Sequence, residues 1–76
     1  MLRKIVEIKW LDTTASASWT SIKKVKKLTS TRVLSVGYVV CENETEITLA
    51  ESITEDGDCG YNIIPKGAII ARREIK

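Results

Sequence analysis

The sequence predicts a small, mainly β domain with one short helix. Its 76 residues are the length of a single domain, so we expect one domain over residues 1–76. Apolar residues recur with a period of two in two stretches, residues 2–11 and 31–50, which is the spacing of half-buried strands. Helical spacing is confined to a short lysine-rich stretch between them. Strands therefore dominate the predicted fold.

Residues 2–11 are predicted to form the first strand. The alternation places Val6, Ile8 and Trp10 on one face, whereas Glu7 and Lys9 fall on the other. We therefore expect the face that carries Trp10 to line the core.

A basic helix is predicted after a polar loop at residues 12–18, whose last residue, Ser18, suits a helix N-cap. Projected onto a helix, Ile22, Val25 and Leu28 fall within an arc of about 120°. Four lysines cover the opposite side: Lys23, Lys24, Lys26 and Lys27. Trp19 projects to the edge of this basic side, so its ring is either a lid on the core or an exposed platform for a ligand.

Residues 31–50 are predicted to form a β-hairpin around the polar turn at residues 42–44, where Asn43 tolerates a left-handed backbone. Both faces of the first arm are apolar, which is typical of a central or strongly curved strand. Gly37 in mid-strand indicates a bulge, a bend or the close approach of another backbone. Tyr38 is in phase with apolar neighbours, so we expect it in the core or in a subunit interface.

The C-terminal part is predicted to contain an acidic loop at residues 51–60, with a turn at Asp56 and Gly57, and a last strand from about residue 67 to residue 74. Pro65 cannot donate a ladder hydrogen bond, so the strand begins after it or lies on an edge there.

Four to five short antiparallel strands, a bent central strand and one short basic helix are typical of a small SH3-like or Sm-like barrel. The alternative is an open antiparallel sheet covered by the helix.

Charge is segregated along the chain. Residues 1–41 carry eight Lys or Arg against two acids, residues 42–58 carry seven acids and no base, and residues 59–76 are basic again. Such a layout suits an anion-binding surface, or contacts between complementary patches of identical subunits. Because a core of this size is marginal on its own, we expect a homo-oligomer.

The composition argues against an enzyme. The chain has no histidine, which removes the commonest general base and the commonest metal ligand, and its glycines form no phosphate-binding loop. Asp56 and Asp58 lack the ligand spacing of a calcium loop. Cys41 and Cys59 are too few for a structural zinc site, and we do not expect them to form a disulfide. We therefore expect no catalytic residues, no metal and no cofactor.

The sequence also lacks an apolar run near the roughly 20 residues that span a bilayer. We expect a soluble, intracellular protein without membrane contact.

The basic residues and Trp19 allow two interpretations. The lysine-rich side of the helix is either a solvated surface or an anion-binding surface, the second being favoured if other cations converge on it. The candidate ligand-binding residues are Asp12, Trp19, Lys23, Lys26, Arg32 and Lys66.

Several short motifs resemble those of a group of small bacteriophage accessory proteins. They are Lys9-Trp10-Leu11-Asp12, Ser18-Trp19, Ser35-Val36-Gly37-Tyr38-Val39-Val40, Glu46-Ile47-Thr48-Leu49-Ala50, Ile63-Ile64-Pro65-Lys66 and Ile69. The resemblance covers nearly the whole chain and implies a protein that acts in the cytoplasm of an infected bacterium. Two tasks fit a small β protein without catalytic residues: sequestering a nucleotide signal of host immunity, or blocking a host protein or nucleic acid.

The first task gives the leading hypothesis, a counter-defence protein that holds a small phosphorylated nucleotide. Trp19 would stack on the base, and Asp12 would form a hydrogen bond with the ligand from its loop. The phosphates would contact Lys23, Lys26, Arg32 and Lys66. Two alternatives stay open: an inhibitor whose basic helix docks on a host protein, and a nucleic-acid-binding module, which the acids after Leu49 disfavour because they repel a long phosphate backbone.

Overall fold

The chain forms one antiparallel sheet of five strands in a computed structural model that describes residues 3–13 and 19–76. The strands are β1 (Ile5–Asp12), β2 (Thr31–Glu42), β3 (Glu46–Ile53), β4 (Cys59–Pro65) and β5 (Ile69–Ile75). Their order across the sheet is β4-β3-β2-β1-β5. The predicted mainly β class, the number of strands and the hairpin of β2 and β3 are confirmed.

The long strand β2 is shared between two halves of the sheet. It pairs with β1 from Thr31 to Tyr38, and with β3 only from Tyr38 to Glu42. A β-bulge between Val39 and Cys41 shifts the register in the second half, and bulges bend the strand that carries them. We therefore expect β2 to bend at this bulge, beyond Gly37.

Gly37 is required by a close approach of β3. A Cβ at this position would lie 2.7 Å from the carbonyl oxygen of Ala50 and 3.2 Å from the Cβ of Leu49. Real Cβ atoms do not come so close to a carbonyl oxygen, because the two would overlap. The predicted approach of another backbone at Gly37 is confirmed.

The core lies on the inner face of the bent sheet. Its five clustered side chains, each at most 2% exposed, are Val6, Ile8, Ile47, Leu49 and Ile64. Trp10 packs against this cluster, and its Nε1–H donates to Ser35 Oγ at 3.0 Å. The predicted inward face of the first strand is confirmed. Tyr38 is not in the core: it pairs opposite Ile5 on the outer face and is 37% exposed.

The sheet is open. β4 and β5 form its two edges, and they do not pair with each other in the part of the chain that the structure describes. A single 3₁₀ turn, η1 (Lys66–Ala68), joins them. Pro65, the last residue of β4, has no N–H to donate to another strand. The predicted closed barrel is therefore replaced by an open, curled sheet.

Half of the acidic loop predicted at residues 51–60 is strand. β3 continues to Ile53 and β4 begins at Cys59, so only residues 54–58 form the turn. Gly57 has a φ of +93°, which confirms the turn predicted there. The last strand was expected from about residue 67, and it begins at Ile69 because η1 occupies the residues before it.

The helix is shorter than predicted. α1 (Ile22–Val25) is one turn, and Ser21 Oγ caps it by accepting a hydrogen bond from the Lys24 N–H at 3.3 Å. The cap predicted at Ser18 lies outside the described residues. α1 buries none of its residues, and Leu28 beyond it is 63% exposed, so no packing extends the helix further.

Among the described residues, no helix is long and apolar enough to cross a membrane.

Candidate functional site

The connection between β1 and β2 presents an exposed aromatic ring beside exposed cations. Trp19 is fully exposed, at 102% of its reference area, so it is not a lid on the core. Ser21 fixes the start of α1 two residues later. We call residues 19–28 the basic segment, because the four lysines at positions 23, 24, 26 and 27 lie in it and are all exposed.

The lysines of the basic segment are not neutralised by the rest of the chain. Every salt bridge in residues 3–13 and 19–76 involves Glu7 or Glu42, and neither carboxylate contacts this segment. Among the described residues, the lysines of the segment therefore have no salt-bridge partner.

Asp12 and Arg32 lie at the base of the same connection but on opposite faces. Asp12 pairs opposite Thr31, and Arg32 pairs opposite Leu11. The alternation of β1 puts Asp12 on the face of Trp10, whereas Arg32 is on the face of Leu34. The two side chains bracket the basic segment, and they do not converge on one point in front of it.

Lys66 lies at the far end of β2 from the basic segment. Its Nζ is 2.8 Å from Glu42 Oε2, at the last residue of β2, whereas Arg32 is near the first. Ten residues of strand span on the order of 30 Å. One small ligand cannot contact both Arg32 and Lys66 of the same chain. Trp19, Lys23 and Lys26 are exposed in one segment of the sequence, and Lys66 is separated from Arg32 by the length of β2.

Glu42 is the centre of an ion network that the sequence did not reveal. Arg72 donates to it with both ends of its guanidinium, at 2.8 and 3.1 Å, and Lys66 contacts it as well. The hydrogen bonds from Arg72, followed by those from Lys66, lower the pKa of Glu42 from 4.5 to about 2. The network ties β2 to η1 and β5, so its role is structural. Lys66 and Arg72 lie 24 and 30 residues after Glu42 in the sequence. A local sequence pattern could therefore not predict this network.

Replacing Glu42 with glutamine is expected to remove a pH-dependent part of the stability. Since the folded state holds the carboxylate ionised down to about pH 2, the unfolded state binds more protons at acid pH. The stabilisation is complete above an unfolded pKa of about 4.3 and is lost as pH falls through 2. The melting temperature of the natural chain should exceed that of Glu42→Gln by a constant amount above about pH 5, and by progressively less toward pH 2. A difference that does not change with pH would contradict this assignment.

Three further features of the described surface bear on ligand or metal binding. A shallow depression of about 340 Å³ lies between β1, β2 and β5, where Glu7 and Arg73 are paired with each other at 3.2 Å. Cys41 and Cys59 are both free and exposed. In the described ranges no three acidic or thiol side chains gather into a metal site.

Comparison of the chain with protein-family models, with curated proteins and with solved structures finds no significant match.

Proposed function

We propose that this chain is a non-catalytic binding protein of the phage accessory type, which captures a small phosphorylated nucleotide on its basic segment. The observation that carries the proposal is Trp19, fully exposed at the start of a segment whose lysines have no salt-bridge partner in the described chain. Exposing an indole ring to water is unfavourable. A ligand that covers the ring would remove that cost.

The chemistry of a nucleotide matches this surface. Stacking of a base on an aromatic side chain contributes about 1–3 kcal/mol. Lysine ammonium groups form charge-assisted hydrogen bonds with phosphate oxygens. Lys23 and Lys26 supply these contacts close to Trp19, while Asp12 and Arg32 flank the segment. Lys66 takes no part in a site on the same chain, because it lies at the far end of β2 and is paired with Glu42.

The proposal also includes the fold type, an SH3-like or Sm-like fold. Five antiparallel strands, the β-bulge in β2 between Val39 and Cys41 and the return of β5 to β1 support an open variant of an SH3-like or Sm-like barrel. In such a fold the β1–β2 connection projects from the sheet, which suits a ligand-binding segment.

Reversing two charges in the basic segment is expected to weaken nucleotide binding by about tenfold or more, or about 1.4 kcal/mol. The variant is Lys23→Glu with Lys26→Glu, and the probes are a panel of mononucleotides and of cyclic di- and trinucleotides. Binding is measured by calorimetry and by quenching of Trp19 fluorescence.

A matched control carries the same change in net charge elsewhere. Lys4→Glu with Lys9→Glu alters two exposed lysines of the β1 region, and it should leave the affinity unchanged. Equal loss in both double variants would indicate a general electrostatic effect. Equal binding by the natural chain and the Lys23→Glu, Lys26→Glu variant would remove the basic segment from the site.

A second candidate function is supported by the apolar side of the basic segment. Ile22 and Leu28 are 76% and 63% exposed, so an apolar strip lies beside the lysines. An amphipathic surface of this kind suits docking on an acidic host protein, which the chain would inhibit. Capture of one host protein, abolished by Lys23→Glu with Lys27→Glu, would favour this function. A nucleic-acid-binding function would instead give an affinity for any DNA or RNA that falls steeply with salt.

A further inference from the structure

Strand β2 has an open edge along its first half. One side of residues 31–36 pairs with β1, while the pairing with β3 begins only at Tyr38. No other backbone hydrogen bond engages residues 31–36 in the chain as far as the structure describes it. The N–H and C=O groups on that side are available to another strand.

This edge lacks the features that protect the other two edges of the sheet. The β4 edge ends in Pro65, and the β5 edge carries three consecutive charged residues. Proline and charged residues are the usual means by which sheet edges avoid pairing with other strands. Residues 31–36, Thr-Arg-Val-Leu-Ser-Val, contain no proline and one charge, Arg32.

The same edge exposes apolar side chains. Leu34 is 64% exposed and Val36 is 50% exposed, both on the outer face. Alternating β-branched and aliphatic residues on an open edge favour strand pairing through both backbone and side chains.

The size of the surface points to a second copy of the chain as the occupant. A compact monomer of this mass exposes about 4,700 Å², whereas this chain exposes 6451 Å². The radius of gyration is 15.5 Å, against about 11 Å for a compact chain of this length. The excess surface, about 1,800 Å² per chain, is larger than the roughly 800 Å² that each partner buries in a standard interface, so a dimer interface needs only part of it. The buried core is also small. Covering part of the exposed surface in a dimer would therefore stabilise the chain.

We propose that two copies of this chain pair through residues 31–36 of β2, antiparallel and about a two-fold axis. A pairing centred on Leu34 sets Arg32 of each copy opposite Val36 of the other. Val36 borders a depression of about 220 Å³ that Glu51 also lines, so Arg32 of one copy comes close to Glu51 of the other. Because the edge has a single charge, no like charges face each other.

This dimer does not depend on what the basic segment binds, and the test keeps the two apart. Val36→Lys places a charge on the pairing edge, and Ile63→Lys is the matched control, since Ile63 is also 50% exposed but lies on β4. Analytical ultracentrifugation is expected to give a mass of two chains for the natural protein and for Ile63→Lys. Val36→Lys should give the mass of one chain with an unchanged circular dichroism spectrum.

Hydrogen exchange identifies the surface that is used. The amides of residues 31–36 that face the open side should exchange more slowly as protein concentration rises, and this dependence should disappear in Val36→Lys. Glu51→Lys, a second variant, should weaken the dimer without touching the backbone of β2.

Three results would overturn the proposal. They are a monomeric natural chain, a dimer that survives Val36→Lys, and a dimer in which residues 31–36 exchange at a rate independent of concentration. Protection of those amides only after adding an extended peptide would assign the edge to a different partner. A natural chain that is dimeric but binds no nucleotide would contradict the proposed function and leave the proposed dimer unaffected.

Discussion

Truncating Ile64 to alanine is expected to lower the free energy of unfolding by about 2–5 kcal/mol, the range for large aliphatic side chains in a core. Ile64 is fully buried, and it packs with Val6, Ile8, Ile47 and Leu49 in the single cluster that holds the curled sheet together. A domain of 76 residues has a total stability of only about 4–11 kcal/mol. This one side chain therefore accounts for a large part of it.

The neighbouring residue provides the control. Ile63 is 50% exposed on the outer face of the same strand, so Ile63→Ala should cost less than about 1 kcal/mol. Both variants are compared with the natural chain by urea unfolding at one fixed protein concentration, since self-association would make the midpoint depend on concentration. Similar losses for Ile63→Ala and Ile64→Ala would contradict the assignment of inner and outer faces in β4.

Adding a single methyl group at Gly37 is expected to destabilise the fold by about 1–3 kcal/mol, the usual cost of overpacking. The new Cβ would lie 2.7 Å from the Ala50 carbonyl oxygen, which is backbone and cannot swing away as a side chain could. Relief of the overlap requires β2 and β3 to separate where they first pair, at Tyr38 and Ala50.

Gly60→Ala tests whether the effect comes from the contact or from the loss of a glycine. A Cβ at Gly60 meets no atom within 4 Å, and its φ is not positive. This variant should stay within about 0.5 kcal/mol of the natural chain in the same urea titration. A Gly37→Ala variant as stable as Gly60→Ala would show that the two strands do not approach as closely as described.

The strands whose side chains alternate cleanly could be predicted from the sequence. In β1, Val6 and Ile8 point inward and Glu7 points outward, so the period of two is written in the residue types. Ile47 and Leu49 mark β3 in the same way. Gly37 was also informative, because a glycine among β-branched strand residues often marks a bulge, a bend or the close approach of another backbone.

β4 could not be predicted in this way. Only Ile64 of its seven residues is buried, while Tyr61 and Ile63 are exposed, so the strand has no apolar alternation to detect. Its pairing with β3 is fixed by the turn at residues 54–58, where Thr54 accepts hydrogen bonds from Gly57 and Asp58.

The helix was overestimated for a related reason. The projection grouped Ile22, Val25 and Leu28 on one side of a helix, but the helix ends at Val25, because an amphipathic pattern forms a stable helix only when its apolar side is covered. Here that side is exposed, and one turn remains.

The candidate site was predictable only where it is local. Trp19, Lys23 and Lys26 are neighbours in the sequence, and all three are exposed in the connection between β1 and β2. Lys66 was grouped with them only because it is positively charged. In the structure it instead forms a salt bridge with Glu42. Which distant cations converge depends on how the sheet bends, and charge counts along the chain contain no information on that bend.

The separation of the basic segment from the core has a practical consequence. No residue of α1 is buried, so the charges of the basic segment can be changed without removing core contacts. Variants of Lys23 and Lys26 therefore report on binding, whereas variants of Ile64 or Gly37 report on folding.

The most direct test of the proposed function is native mass spectrometry of the purified protein after incubation with a small-molecule extract of phage-infected bacteria. The natural chain is expected to retain a phosphorylated nucleotide that is released on mild denaturation. Lys4→Glu with Lys9→Glu should retain it too, and Lys23→Glu with Lys26→Glu should not. A natural chain that retains no nucleotide, or equal retention by the Lys23→Glu, Lys26→Glu variant, would contradict capture of a nucleotide by the basic segment.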